Sequence, residues 1–361
     1  MLEIAGFGSS LYLNLINLLA AGIGLVAVRS IARSRKLPDD AIKYVILGCL
    51  FSFILVKDAA MPLTDVPFFG VTLAAVALAE SAACLTGRAA WSRWFIAILL
   101  AVCGISLRLA GIAGVLALLF EAWRAAMRST KAIRNAATAV FVANVAGLIG
   151  GFIIWSLQPG TAKGTLAVRI LQVYGTKPLW SILGDHFRDA GQLLLNLPIS
   201  KIPADFRGIS WLAGFVLLTA VTIAIFRTRA VWAPSRTFLL LYSLMLFASA
   251  YTPGGGSEPR YWLPALPLFA IELLLAGNQE NLSSSPLVRL TLQSYVVYFV
   301  SLGIIAIGYS CFLTISSRAF LDAPITSNFK SQYEAWLLHR PMDDGPDPRV
   351  LPVLRTFGGN R

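Results

Sequence analysis

Apolar runs separated by short loops, with positive charge concentrated in every second loop, constrain this chain more than any other feature. A helix crossing hydrocarbon needs about 20 mostly apolar residues, because its backbone must satisfy its own polar groups there. On that ruler the sequence predicts ten spans: Ser9–Val28, Ala41–Val56, Val66–Leu85, two short spans meeting at Arg108 within Trp94–Phe120, Ala136–Ser156, Ile209–Phe226, Thr237–Tyr251, Tyr261–Ala276 and Leu292–Thr314. Loops after spans one, three, five and seven carry four, two, four and three Lys or Arg, and the loop after span nine carries Arg289. The opposite short loops hold Lys57, Arg108 and Arg260, one each. Positive loops stay cytoplasmic, so the first set is expected inside. Both termini, the Lys57–Asp65 turn, Arg108, residues 157–208 and Arg260 are then expected outside.

Composition excludes the main rivals. Hydrophobic residues make up 57% of the 361 and charged residues 13%, well short of a soluble domain's share. The net charge of +12 lies in short loops between apolar runs, a pattern of membrane topology and not of a nucleic-acid groove. The four cysteines sit inside apolar segments without metal-type spacing, so neither a disulfide framework nor a metal site is expected. No phosphate-binding Gly-rich loop of the GxxxxGK[ST] type is present, and no cofactor is expected. Residues 157–208 predict short amphipathic helices lying in the interface plane, with Asp185 and His186 on a solvated face or contacting an acceptor. A polar tail, 315–361, completes the chain on the outer side of a 1–314 transmembrane domain.

A few polar residues stand where charge is costly. The stretch Leu55–Gly70 joins two apolar segments and contains Lys57, Asp58 and Asp65. Asp65 reads either as a working carboxylate or as the N-cap of the next helix, with neighbouring Thr64 as a second capping choice. Lys57 and Asp58 read as a pair at the interface or as substrate contacts. Arg108 lies too deep for an ordinary loop charge and calls for a partner carboxylate. Arg260 precedes Tyr261 at the mouth of a span. Its planar fork suits phosphate oxygens, while a snorkelling Arg beside a Tyr261–Trp262 aromatic belt is the structural alternative.

Four segments, in order, resemble the GT-C-fold glycosyltransferases that use polyprenyl-phosphate sugars, the protein mannosyltransferase and aminoarabinose transferase relatives. They are FGSSLYLNLINLLAAGIGLVAVRSIAR, PLTDVPFFGVTLAAVALAE, SLRLAGIAGVLALLFEAWR and PRYWLPALPLFAIELLL, and the likeness covers most of residues 7–276. The resemblance implies a bacterial inner-membrane enzyme moving a sugar from a polyprenyl-phosphate donor to an outer-side lipopolysaccharide, glycan or protein. Asp65 would be the catalytic carboxylate, and Arg260, Tyr261, Lys57, Asp58 and Arg108 would bind substrate. Membrane lipids are expected partners, nucleic acid is not.

One departure matters. The family's first span and its outer loop with an acidic catalytic residue have no counterpart before the FGSS segment, where Glu3 is the sole carboxylate. The expectation is a start placed too late, a truncated gene, or a scaffold without its chemistry. A non-enzymatic transporter or envelope-assembly partner therefore stands as the alternative. A polymerase or ligase of surface glycans, using a pyrophosphate-linked donor, is a third reading.

Overall fold

The computed structural model describes residues 10–59, 64–128, 130–157, 178–228, 232–248, 259–279 and 285–315. Every regular element among them is helical: α1 (Ser10–Ser34), α2 (Asp39–Leu50), α3 (Phe53–Ala59), α4 (Asp65–Ala83), α5 (Gly87–Leu107), α6 (Gly111–Ala126), α7 (Lys131–Leu157), α8 (Leu179–Leu195), α9 (Gly208–Arg227), α10 (Pro234–Ala248), α11 (Leu266–Gln279) and α12 (Pro286–Ile315). Six helical stretches are long and apolar enough to cross a membrane, within α1, α4, α5, α7, α12 and the segment Ala204–Arg227 that contains α9. Helices α10 and α11 are shorter apolar helices. The all-helical membrane-type architecture read from the sequence is present. The tail, 315–361, falls outside the described residues except Ile315, as does the 158–177 part of the section expected on the outer side.

Helix α4 is apolar between Asp65 in its first turn and Glu80 near its end and packs at the centre, with two thirds of its spanning window buried. Small residues let neighbours approach it. A Cβ on Gly70 would meet the Ala20 carbonyl of α1, so α1 and α4 touch backbone to backbone there. Helices α7 and α12 lie at the rim, with 0% and 11% of their spanning windows buried. Their apolar exposed faces are what a lipid surround would accept.

Two sequence expectations are corrected. The second expected span, Ala41–Val56, is not one helix: it breaks between α2 and α3 at Phe51–Ser52. A break leaves backbone groups unpaired, and the Asn196 side chain takes them up. Its Oδ1 accepts from the Phe53 N–H at 2.8 Å, and its Nδ2 donates to the Phe51 carbonyl at 3.0 Å and the Phe299 carbonyl of α12 at 2.9 Å.

The second correction concerns α8, which is a helix as expected but does not turn His186 and its neighbours to solvent. It packs antiparallel against α9, where a Cβ on Gly191 would run into the Ser210 carbonyl and one on Gly214 into the Phe187 carbonyl. His186, Asp189, Gln192 and Asn196 lie on the side of α8 turned away from that crossing and are buried there, His186 against Phe247 of α10 and Trp262. Amphipathic spacing identifies a helix but not which face its neighbours will cover.

Candidate functional site

The polar residues singled out in the sequence come from three distant segments, and local chemistry explains how each is presented. Helix α4 begins at Asp65, with Thr64 at the N-cap position, and the Thr64 side chain makes no capping bond. Asp65 stands in the first turn, where the helix dipole favours a carboxylate. Its oxygens do not cap the helix but reach across to Arg108.

Helix α5 ends when Arg108 adopts an extended backbone, φ −150° and ψ 138°. The Gly111 N–H returns to the Arg108 carbonyl at 2.8 Å, closing a tight turn into α6. Only a glycine fits at its end, since a Cβ on Gly111 would stand 2.5 Å from the Ile105 nitrogen. The third segment is a 3-10 turn, Pro259–Trp262, which enters α11 and carries Arg260 and Tyr261. Trp262 is fully buried beneath it.

These segments meet at one end of the bundle. Asp65 is 2% exposed, pairs with the Arg108 guanidinium and lies 4.0 Å from Arg260 Nη1. The two arginine side chains keep 19% and 28% of their surface open. Both guanidiniums sit over the Tyr261 ring, with Arg108 Cζ at 4.7 Å and Arg260 Cζ at 5.6 Å from its centroid. The partner carboxylate expected for Arg108 is therefore Asp65. Two forks that converge on one buried carboxylate and one aromatic face, yet remain open outward, have donors suited to an oxyanion. Lys57 is exposed in the last turn of α3, and the Asp58 side chain lies outside the described residues.

Tyr242 of α10, overlooked in the sequence reading, ties this group together. Its hydroxyl donates to the Tyr261 carbonyl at 2.5 Å, and its ring packs against Phe68 of α4 at 6.3 Å. Nothing in an apolar run marks one tyrosine as special before its neighbours are known.

A second polar cluster, at the opposite end of the same helices, was also overlooked. Glu272 of α11 takes both Arg236 of α10, at 2.6 Å, and Arg35 beyond α1, at 3.2 Å. Glu80 of α4 accepts from the Ser235 N–H at 3.0 Å and from its hydroxyl, and Glu121 of α6 accepts from the Thr237 hydroxyl. Arg124 bonds Glu121 at 2.6 Å and the Trp232 carbonyl at 2.9 Å. Glu80 and Glu121 thus sit at the N-terminus of α10, where partial positive charge is exposed. Three guanidiniums balance three carboxylates. Burial draws the Arg35 guanidinium below its ordinary pKa, while Glu272 and Glu80 pull the other way. The available signal was a carboxylate within an apolar run, at Glu80, Glu121 and Glu272.

No group of three or more His, Cys, Asp or Glu side chains converges among the described residues in a way that could hold a metal ion. Compared with known proteins, the chain matches no protein-family model, no curated protein and no solved structure.

Proposed function

We propose that this chain is an integral-membrane glycosyltransferase of the bacterial inner membrane, about ten spans in all, with the Asp65–Arg108–Arg260–Tyr261 group on the outer side. The donor is a polyprenyl-phosphate sugar, and the acceptor an outer-side lipopolysaccharide, glycan or protein. The observation that carries this reading is the convergence of two partly open guanidiniums on one buried carboxylate.

In this reading Arg108 and Arg260 bind the lipid phosphate. During transfer the bond from the sugar's anomeric carbon to a phosphate oxygen breaks, and a bond from that carbon to the acceptor oxygen forms. The departing phosphate gains negative charge, which the two forks stabilise. The acceptor's hydroxyl proton passes to the departing phosphate, which as a monoester is a stronger base than the diester it came from. Asp65 is engaged by Arg108, so its geometry favours holding the forks in place over taking that proton.

The test is binding of farnesyl phosphate to the purified chain in nanodiscs, against farnesol as the uncharged control. Preference for the phosphate, lost in Arg260→Ala, supports the reading. Equal binding of phosphate and alcohol sinks it.

A transporter is the second reading, favoured by charge clusters at both ends of one bundle. Two ionic gates would alternate around a central path. Under that reading, disrupting Glu272–Arg236 changes solute flux in proteoliposomes, with no preference for a lipid phosphate.

A further inference from the structure

The two halves of the outer group are 195 positions apart in sequence, yet one buried side chain packs beside Phe68, three residues from Asp65, and bonds the Tyr261 turn. Tyr242 is 1% exposed and lies on α10. Its ring stands 6.3 Å from Phe68 and 5.2 Å from Phe238. Phe68 is three residues beyond Asp65, so it is a neighbour on the same side of α4. The Tyr242 hydroxyl bonds the Tyr261 carbonyl within the Pro259–Trp262 turn. Within the turn, the Leu263 N–H donates to the Arg260 carbonyl and the Ala265 N–H to the Trp262 carbonyl, so these two bonds shape the turn itself.

Helix α10 is itself fixed lengthwise. At its first turn Ser235, Arg236 and Thr237 are held by Glu80, Glu272 and Glu121. Those carboxylates belong to α4, α11 and α6, so α10 cannot slide without breaking buried charged contacts. Tyr242 follows Arg236 by six residues, about 9 Å along the axis. The reach of its hydroxyl to the turn is therefore set by the ionic cluster at the far end.

We infer that Tyr242 is a positioning residue for the anion seat: its hydroxyl fastens the Tyr261 turn so that Arg260 and the Tyr261 ring face Asp65 and Arg108. Its role in phosphate binding rests on the function proposed above. The fastening of the turn stands without it. A short bond in a dry surround is strong and directional, and a binding group held to a fraction of an ångström depends on such support.

The experiment compares the full chain in nanodiscs with Tyr242→Phe, with Tyr242 replaced by p-aminophenylalanine, and with Phe238→Leu. Amide hydrogen exchange is read over residues 259–265, alongside farnesyl phosphate affinity and melting temperature. Tyr242→Phe is expected to speed exchange in that segment about tenfold and weaken farnesyl phosphate about tenfold. The p-aminophenylalanine variant keeps a donor and is expected to restore both. Phe238→Leu removes packing on the same helix and is expected to lower the melting temperature without selectively opening 259–265.

Unchanged exchange in Tyr242→Phe overturns the inference. So does loss in both Tyr242 variants alike, which would reduce the residue to packing. If Tyr242→Phe fails to fold, the p-aminophenylalanine variant decides, by whether protection at 259–265 is kept. If the unaltered chain does not bind farnesyl phosphate, the proposed function falls, and exchange alone still judges the turn.

Discussion

The side-chain amide of Asn196 stands in for a missing turn of helix at Phe53, accepting its N–H at 2.8 Å while donating to the Phe51 carbonyl on the other side of the break. Asn196 itself ends α8 in the left-handed conformation, φ 51°. One residue thus ends α8, bridges α2 to α3 and reaches the Phe299 carbonyl of α12. In an apolar surround, broken helices persist only where such groups are satisfied.

Replacing Asn196 tests that bridge. Asn196→Gly keeps the left-handed conformation accessible but removes the bonds, at about 1–3 kcal/mol for each buried group left unpaired. Asn196→Asp keeps the acceptor, loses the donor and sets a charge against two carbonyls, so it is expected to be worse. Thermal unfolding in nanodiscs gives the order. An Asn196→Gly protein melting at the unaltered temperature would remove the bridge from the account.

Asp65→Asn is expected to destabilise by about 2–3 kcal/mol. Loss of one partner from a fully buried pair costs about 3–5 kcal/mol, and here both arginines keep some contact with solvent. Adding Arg108→Met to Asp65→Asn should return about 1 kcal/mol, because the orphaned charge goes with it. Simple additivity of the two changes would mean that the pair is not coupled.

At the opposite end, Glu272→Gln and Glu80→Gln should differ. The first leaves Arg236 and Arg35, at 2% and 5% side-chain exposure, without the carboxylate they share. A loss of about 3–5 kcal/mol is expected. The second retains an oxygen able to accept the Ser235 N–H, and about 1 kcal/mol is expected. Denaturant unfolding of both variants checks the contrast, and equal losses would contradict the central place given to Glu272.

Much of the architecture was legible because hydrocarbon permits few solutions. Apolar run length anticipated α1, α4, α5, α7, α9 and α12, and the charge of Arg108 inside an apolar run anticipated the break between α5 and α6. Asp65, Arg108, Arg260 and Tyr261 also stood out, since charge beside apolar spans is rare enough to notice. Their meeting did not follow from the sequence, because contacts between segments 43 to 196 positions apart depend on how helices pack. Glu80, Glu121 and Glu272 carried the same signal, but the arginines of their cluster, Arg35, Arg124 and Arg236, lay in basic loops that read as topology alone.

The sequence by itself determined that the described chain is helical, where its long apolar helices run and which residues bear costly charge. These are local matters of hydropathy and backbone satisfaction. Tertiary structure decided that the second expected span breaks at Phe51–Ser52, that α8 turns His186 and Asp189 inward, and that Tyr242 links α4 to the Tyr261 turn. In each case the deciding partner is remote: Asn196 for the break, Phe247 and Trp262 for His186 of α8, and the Tyr261 carbonyl for Tyr242. A buried polar group takes whatever partner packing brings within reach, and packing is a property of the assembled helices.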